Sequence, residues 1–183
     1  MKNFTITGPF IGGVYQILPN IFKDFRGEFV ETYNYKDLSK FGKFIQDDFS
    51  MSHKNVLRGI HGDAKTAKLV HCINGRIINF VVNLNKKSTQ YLKWLYVDLT
   101  PDTHNLMYIP KGFGNLTLSL EDNSIYVYKQ TTIYGESPQF TIDFNDKTLN
   151  IPWQTWISPE DLIISNRDIF ESITIKEYNK GEK

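Results

Sequence analysis

The chain has 183 residues, 21 Lys and Arg against 20 Asp and Glu, a net charge of +1 and 40% hydrophobic residues. The near balance of charge excludes a protein that coats nucleic acid or a membrane surface through a basic face, and the single cysteine, Cys72, excludes an intramolecular disulfide. The length suits one domain, or one domain with a terminal appendage, and is enough to bury a proper core.

Met1-Lys2-Asn3-Phe4-Thr5 has no apolar leader region, and no later stretch approaches the roughly 18 apolar residues of a spanning helix. A soluble cytoplasmic protein is expected, with neither nucleic acid nor membrane as partner. Asp24-Phe25-Arg26-Gly27-Glu28-Phe29 puts an arginine in a turn ahead of a strand-like run from Gly27 to Tyr33. Arg26 is either a surface turn residue or a fork for phosphate, to which its bidentate donors are suited. Tyr35 to Phe41 reads as helix. Gln46-Asp47-Asp48-Phe49-Ser50 then brings polar groups onto a strand.

Val56-Leu57-Arg58-Gly59-Ile60-His61 follows, with Lys68-Leu69-Val70 seven residues after the histidine. Residues on one strand share a face only when an even number of steps separates them. Arg58 and His61 are three apart, so Gly59 marks a bulge or bend that re-aims one of them. Arg58, His61 and Lys68 brought together on a β scaffold make an anion site that contains a base. That is the chemistry of a phosphate-bearing substrate that loses a proton. Cys72, inside the apolar run Leu69 to Ile73, reads as a buried inert thiol, and its neighbour His71 as a packed structural histidine.

Asn74-Gly75 is the strongest hairpin signal, since both residues tolerate positive φ. Strand-like runs continue at Lys68 to Ile73, Arg76 to Leu84, Leu92 to Leu99, Leu106 to Ile109, Asn115 to Leu120, Ser124 to Thr131 and Phe140 to Phe144. His104, in Pro101-Asp102-Thr103-His104-Asn105, reads as a solvated turn residue. Tyr126 and Tyr128 share one face of their strand, so one of them can line a pocket while its ring packs. Ser158-Pro159-Glu160-Asp161 supplies a cap, a proline at the first helical position and acids in the first turn. Asn179 to Lys183 reads as a loose tail.

Many short strands at regular spacing imply an all-β sandwich, jelly roll or barrel. The four histidines, His53, His61, His71 and His104, include no His-x-His or comparable cluster, so neither a metal nor another cofactor is expected. No glycine-rich phosphate loop, nucleophile elbow or Cys-x-x-Cys pair points to another reaction class.

Eight segments, in order from about residue 20 to 170, resemble the dTDP-4-dehydrorhamnose 3,5-epimerase family of nucleotide-sugar epimerases. They are Asp24 to Phe29, Gln46 to Ser52, Leu57 to His61, Lys68 to Val70, Ile109-Pro110-Lys111-Gly112-Phe113, Tyr128-Lys129, Ile151-Pro152-Trp153 and Ile164-Ser165-Asn166-Arg167-Asp168. The resemblance implies a metal-free cupin jelly roll (double-stranded β-helix) with short peripheral helices, a single domain over residues 1–183, acting as a homodimer with its pocket inside the barrel. It further implies a nucleotide-diphosphate 4-keto sugar as substrate and a mechanism. His61 would take the proton α to the carbonyl, because imidazole titrates close to neutrality, and Asp168 would orient it. Lys68 would place charge near the C4 oxygen, and Tyr128 would return a proton from the opposite face. Arg26 and Arg58 would hold the diphosphate. Glu28, Gln46, Asn115 and Tyr134 complete the expected substrate contacts.

The chain departs from the family at defined places. Gly62-Asp63 stands where the family has Tyr-Gln, Gly114-Asn115-Leu116-Thr117 where it has Ala-His-Gly-Phe, and Asn79 and Asn83 where it has acids. Arg-Gly-Ile-His-Gly-Asp together with Phe-Gly-Asn resembles the branch acting on GDP-linked 4-keto-6-deoxy-heptoses in capsule biosynthesis. Two rivals remain. A cupin 3,4-ketoisomerase needs other pocket histidines, and a non-catalytic sugar-binding jelly roll predicts a missing base or acid.

Overall fold

A computed structural model describes residues 3–181. Its strands are β1 (Phe4–Thr7), β2 (Tyr15–Pro19), β3 (Ile21–Asp24), β4 (Gly27–Val30), β5 (Gln46–Ser52), β6 (Val56–Asp63), β7 (Lys68–Asn74), β8 (Ile77–Asn83), β9 (Trp94–Leu99), β10 (Leu106–Ile109), β11 (Phe113–Ser119), β12 (Ser124–Gln130), β13 (Gln139–Thr141) and β14 (Ile163–Ile164). Three short helices accompany them: α1 (Tyr35–Leu38), α2 (Asn166–Phe170) and α3 (Ile175–Lys180). One sheet runs β1-β2-β10-β7-β12-β5 and the facing one β13-β6-β11-β8-β9, with β14 added beside β6. This is the expected jelly roll. The hairpin β3–β4 stands apart as a two-stranded sheet.

β8 explains how the layers are held. All seven of its residues are buried, as a strand covered on both faces requires. Ile77 and Val81 meet Val70, Cys72, Met107 and Phe113 between the sheets. Ile78, Phe80 and Val82 point outward, under Ile142, Leu149, Ile151, Trp153 and Ile157 of the C-terminal segment. The other sheet is covered on its outside by Leu38 and Phe41, packed with Ile17, Leu69 and Leu106. Each such buried side chain contributes roughly 1.5–3 kcal/mol.

Several expectations need correction. Asn74-Gly75 does turn the chain, with Gly75 at φ +75°, but β7 and β8 lie in different sheets. The turn is therefore an arc between layers, and Gly75 is required because a Cβ there would come within 2.4 Å of Ser124 Oγ. Ser158 does not cap a helix; its hydroxyl meets the Glu160 carboxylate at 2.5 Å, and Pro159–Asp161 makes one 3-10 turn. Asn179 and Lys180, expected in the tail, belong to α3, which Thr174 and Glu177 start with a reciprocal capping box. Residues 182 and 183 of that tail lie outside the described residues. Among the described residues, no helix is long and apolar enough to cross a membrane.

Candidate active site

β6 and β11 pair with a register shift. His61 lies opposite Asn115 and Arg58 opposite Thr117, so three steps on β6 match two on β11. Gly59 takes up the extra residue at φ +123°, and a Cβ there would lie 2.5 Å from the Asn115 carbonyl oxygen. This bulge is the one inferred from the spacing, and it lets Arg58 and His61 line the same cavity.

That cavity, about 540 Å³, opens between the two sheets. One wall carries Arg58, His61, Asn115 and Thr117; the other carries Lys68, Tyr126, Tyr128 and Gln130. β14 and the start of α2 close one side with Ile163, Ile164, Ser165, Arg167 and Asp168.

His61 Nε2 lies 2.5 Å from Asp168 Oδ1, and the Asp168 side chain is 3% exposed. Ser165 caps α2 by accepting from the Asp168 N–H at 3.1 Å, which sets the carboxylate facing β6. Burial alone would push Asp168 up, but hydrogen bonds from His61, the Gly59 N–H and Ser165 hold it below the usual carboxylate range. An ionised carboxylate only accepts, so Nε2 carries the proton and the imidazole lone pair sits on Nδ1. No hydrogen bond from the described residues takes Nδ1.

Across the cavity, burial pushes the Lys68 ammonium down while Asp63 and Asp48 pull it back up. Asp63, from the Gly62-Asp63 departure, thus supplies counter-charge to Lys68. Burial alone would raise Asp63 too, yet Thr66, the Lys65 N–H and Gln139 hold it low. Asn83 takes no part in this, since it ties the loop after β8 through Ser88 and the Asn85 N–H. Lys68 Nζ also lies 5.6 Å from the centre of the Tyr128 ring. Burial and the nearby Asp48 raise the Tyr128 phenol, which keeps it a protonated, donating acid at neutral pH. Arg58 is held at the mouth by Ser52 Oγ, 3.0 Å from its Nε.

Other expected site residues are placed differently. Tyr134 lines the cavity, whereas Gln46 acts behind it, accepting from the Tyr134 N–H at 2.7 Å. Arg26 does not reach the cavity within its own chain. It pairs with Asp24 at 2.6 Å on the exposed β3–β4 hairpin. Glu28 is bound to His104 at 2.6 Å and to Lys23 at 3.3 Å, and the His104 bond foremost holds its carboxyl low. His104 is therefore a tie between the hairpin and the β9–β10 loop, not a solvated turn residue. His71 is buried, as expected, and Cys72 is buried with its thiol pushed up to about 11 by burial. Among the described residues no three His, Cys, Asp or Glu side chains group as metal ligands.

Sequence reasoning missed Asp48, Gln130, Gln139 and Arg167. Asp48 was within reach, because Gln46, Asp48 and Ser50 alternate on the inward face of β5. Gln139 and Arg167 lie on segments without strong periodicity.

A sequence model described as dTDP-4-dehydrorhamnose 3,5-epimerase matches residues 10–173. The dTDP-4-dehydrorhamnose 3,5-epimerase of Methanothermobacter thermautotrophicus is 35% identical over 173 residues, covering 92% of this chain and 93% of its own length. The crystal structure of the enzyme of that name from Elizabethkingia anophelis superposes with a TM-score of 0.88 at 30% identity, over 97% of this chain and 99% of the other. The dTDP-6-deoxy-D-glucose-3,5-epimerase of Legionella pneumophila, in complex with dTDP-4-keto-L-rhamnose, gives 0.83 at 31% identity, over 91% and 90%. With its jelly roll, its paired His61 and Asp168 and these likenesses, the chain belongs to the dTDP-4-dehydrorhamnose 3,5-epimerase family and is a nucleotide-sugar epimerase.

Proposed function

We propose that this chain, as a single cupin domain in a cytoplasmic homodimer, inverts C3 and/or C5 of a GDP-linked 4-keto-6-deoxy-heptose during capsular or surface polysaccharide biosynthesis. The observation that carries the chemistry is the His61 imidazole, on a residue that lines the cavity, bound at Nε2 to a buried Asp168 2.5 Å away, with Nδ1 taking no hydrogen bond from the described residues.

Protons on C3 and C5 are acidified by the C4 carbonyl. Nδ1 of His61 accepts one, and the C–H electron pair moves into the ring to give an enolate with its negative charge on O4. Asp168 stabilises the imidazolium that forms, as an orienting carboxylate does in a catalytic triad. Lys68 stabilises the charge on O4 from the opposite wall. The Tyr128 phenol then gives its proton to the same carbon from the other face, which inverts the centre. The resulting phenolate and imidazolium exchange protons with water to restore the site. General acids and bases of this kind contribute about 10²- to 10⁴-fold each.

Arg58 at the cavity mouth binds the diphosphate. Arg26 and Glu28 reach substrate from a second copy, whose β3–β4 hairpin would bring them to the mouth. That hairpin leaves Phe22 48%, Phe25 98% and Phe29 67% exposed, an aromatic patch of the kind that interfaces cover. The choice of a GDP-heptose over a dTDP-hexose rests on the resemblance of Arg58-Gly59-Ile60-His61-Gly62-Asp63 and Phe113-Gly114-Asn115 to the branch acting on GDP-linked heptoses.

Incubation with GDP-4-keto-6-deoxy-heptose and with dTDP-4-keto-6-deoxyglucose in D2O, with deuterium located by NMR, tests this reading. Faster exchange at C3 or C5 of the GDP sugar is expected. Preference for the dTDP sugar would overturn the substrate assignment, and exchange on neither would overturn the reaction.

A further inference from the structure

The cavity has a second polar feature, which the proton-transfer scheme above does not use. Asn79 and Tyr126 are 0% and 6% exposed and meet Asn115 in the middle of the barrel. The backbone carbonyl of Phe80 fixes the direction of the whole group. It only accepts, and it lies 3.3 Å from Asn79 Nδ2. The same Nδ2 donates to Asn115 Oδ1 at 2.9 Å. Asn79 Oδ1, on the other side, accepts the Tyr126 hydroxyl at 2.7 Å. That hydroxyl also stands 3.3 Å from Asn115 Oδ1, and burial pushes its pKa strongly upward, so it is a neutral donor.

The single hydroxyl proton goes to the nearer Asn79 Oδ1, so Asn115 Oδ1 accepts from Asn79 Nδ2, and the Asn115 Nδ2 is left for the cavity that Asn115 lines. No hydrogen bond from the described residues takes this N–H. Reversing the amide would set two buried donors against each other, an arrangement a low-dielectric interior penalises. Asn115 is also the direct cross-strand partner of His61, which puts its side chain next to the base on the same wall.

We propose that Tyr126 and Asn79 are positioning residues that fix Asn115 as a hydrogen-bond donor to an oxygen of the keto sugar, and that this contact sets which carbon, C3 or C5, lies under His61. The proposal rests on the epimerase reading above. Both carbons flank one carbonyl and are equally acidified by it, so the choice between them is a matter of how the ring is seated beside Nδ1. A donor fixed next to the base on the same wall is placed to decide that seating. Lys68 serves the developing charge from across the cavity and leaves the choice open.

The test is the ratio of deuterium at C3 to deuterium at C5 in the GDP-4-keto-6-deoxy-heptose, or in dTDP-4-keto-6-deoxyglucose if the parent protein takes that sugar. Parent, Asn115→Ala, Asn79→Leu and Tyr126→Phe proteins are compared in D2O. Asn115→Ala and Asn79→Leu are expected to shift the ratio by at least about threefold, including exchange at a carbon the parent leaves untouched. Tyr126→Phe keeps the ring against Tyr128, 5.7 Å between centroids, and shifts the ratio in the same direction by less. A uniform fall in rate at both carbons, or an unchanged ratio, overturns the proposal. Asn115→Ala leaves the Tyr126–Asn79 bond in place and decides the matter alone if Asn79→Leu does not fold. Parent protein that exchanges neither carbon overturns the epimerase reading instead.

Discussion

His61 and His71 lie ten residues apart on consecutive strands, each flanked by apolar residues, and the chain treats them in opposite ways. His61 faces between the sheets, is 28% exposed at its side chain, and has Asp168 at 2.5 Å. His71 faces outward under the layer formed with Leu69 and Leu106, is 6% exposed, and its Nδ1 has no hydrogen-bond partner among the described residues. Burial, with Lys129 and His104 nearby, pushes the His71 pKa down to about 4. A carboxylate brought by a separate helix gives one histidine the partner that the proposed base needs. The other, beside cations and without an acid, stays neutral and only packs. The lesson is that residue type and flanking sequence do not make a catalytic histidine; the partner across the fold does.

The largest effect that sharpens this comparison is on Tyr128, the acid proposed to act across the cavity from His61. Tyr128→Phe keeps the ring and deletes the hydroxyl, so inverted product should fall by about 10²- to 10⁴-fold. His61 still removes and returns a proton on its own face, and deuterium should enter unepimerised substrate faster than inverted product forms. Parent-like inversion would move the acid role, with Tyr134 next in line.

Asp168→Asn removes the charge that separates His61 from His71. Exchange should drop by roughly 10- to 10³-fold, since an amide no longer fixes the tautomer or stabilises the imidazolium. Steady-state rates at saturating substrate measure it, and a loss under threefold would show that His61 works without its partner.

The smallest effect concerns His71 and is read in stability. Its folded pKa of about 4 lies below the ordinary 6.5, so in that interval the unfolded chain binds a proton that the folded chain refuses. Stability is therefore full above pH 6.5 and is lost as pH falls toward 4, by on the order of 1–3 kcal/mol. Urea unfolding at pH 7 and pH 4.5 should show a smaller loss for His71→Leu than for the parent protein. Equal losses would mean that His71 is protonated without cost in the folded state.

The same contrast explains what was legible in the sequence. The Gly59 bulge was, because a three-residue spacing conflicts with the two-residue period of a strand. The β8 strand was, because Arg76 to Leu84 is dominated by β-branched and aromatic residues. His71 was read correctly from its apolar run alone. His104 was misread because its partner Glu28 is 76 residues away, and local composition carries no trace of such a tie. Asp63 and Asp48 around Lys68 come from two other strands and were equally invisible as a group. The hairpin signal at Asn74-Gly75 reported the turn but not which sheet the chain enters next. The α3 capping box, Thr174 to Glu177, was a local signal that went unused. Asp168 entered only through resemblance, since nothing near it in the sequence shows that α2 packs its acid against β6.

The central claim is that one of two similarly placed histidines is the base. The direct measurement is deuterium uptake from D2O into the 4-keto sugar by His61→Asn and His71→Asn proteins, each checked for folding and run beside the parent. His61→Asn should lose exchange at every carbon by at least about 10²-fold, while His71→Asn should exchange within a few-fold of the parent. Exchange by His61→Asn within tenfold of the parent, or its loss in His71→Asn, would contradict the assignment.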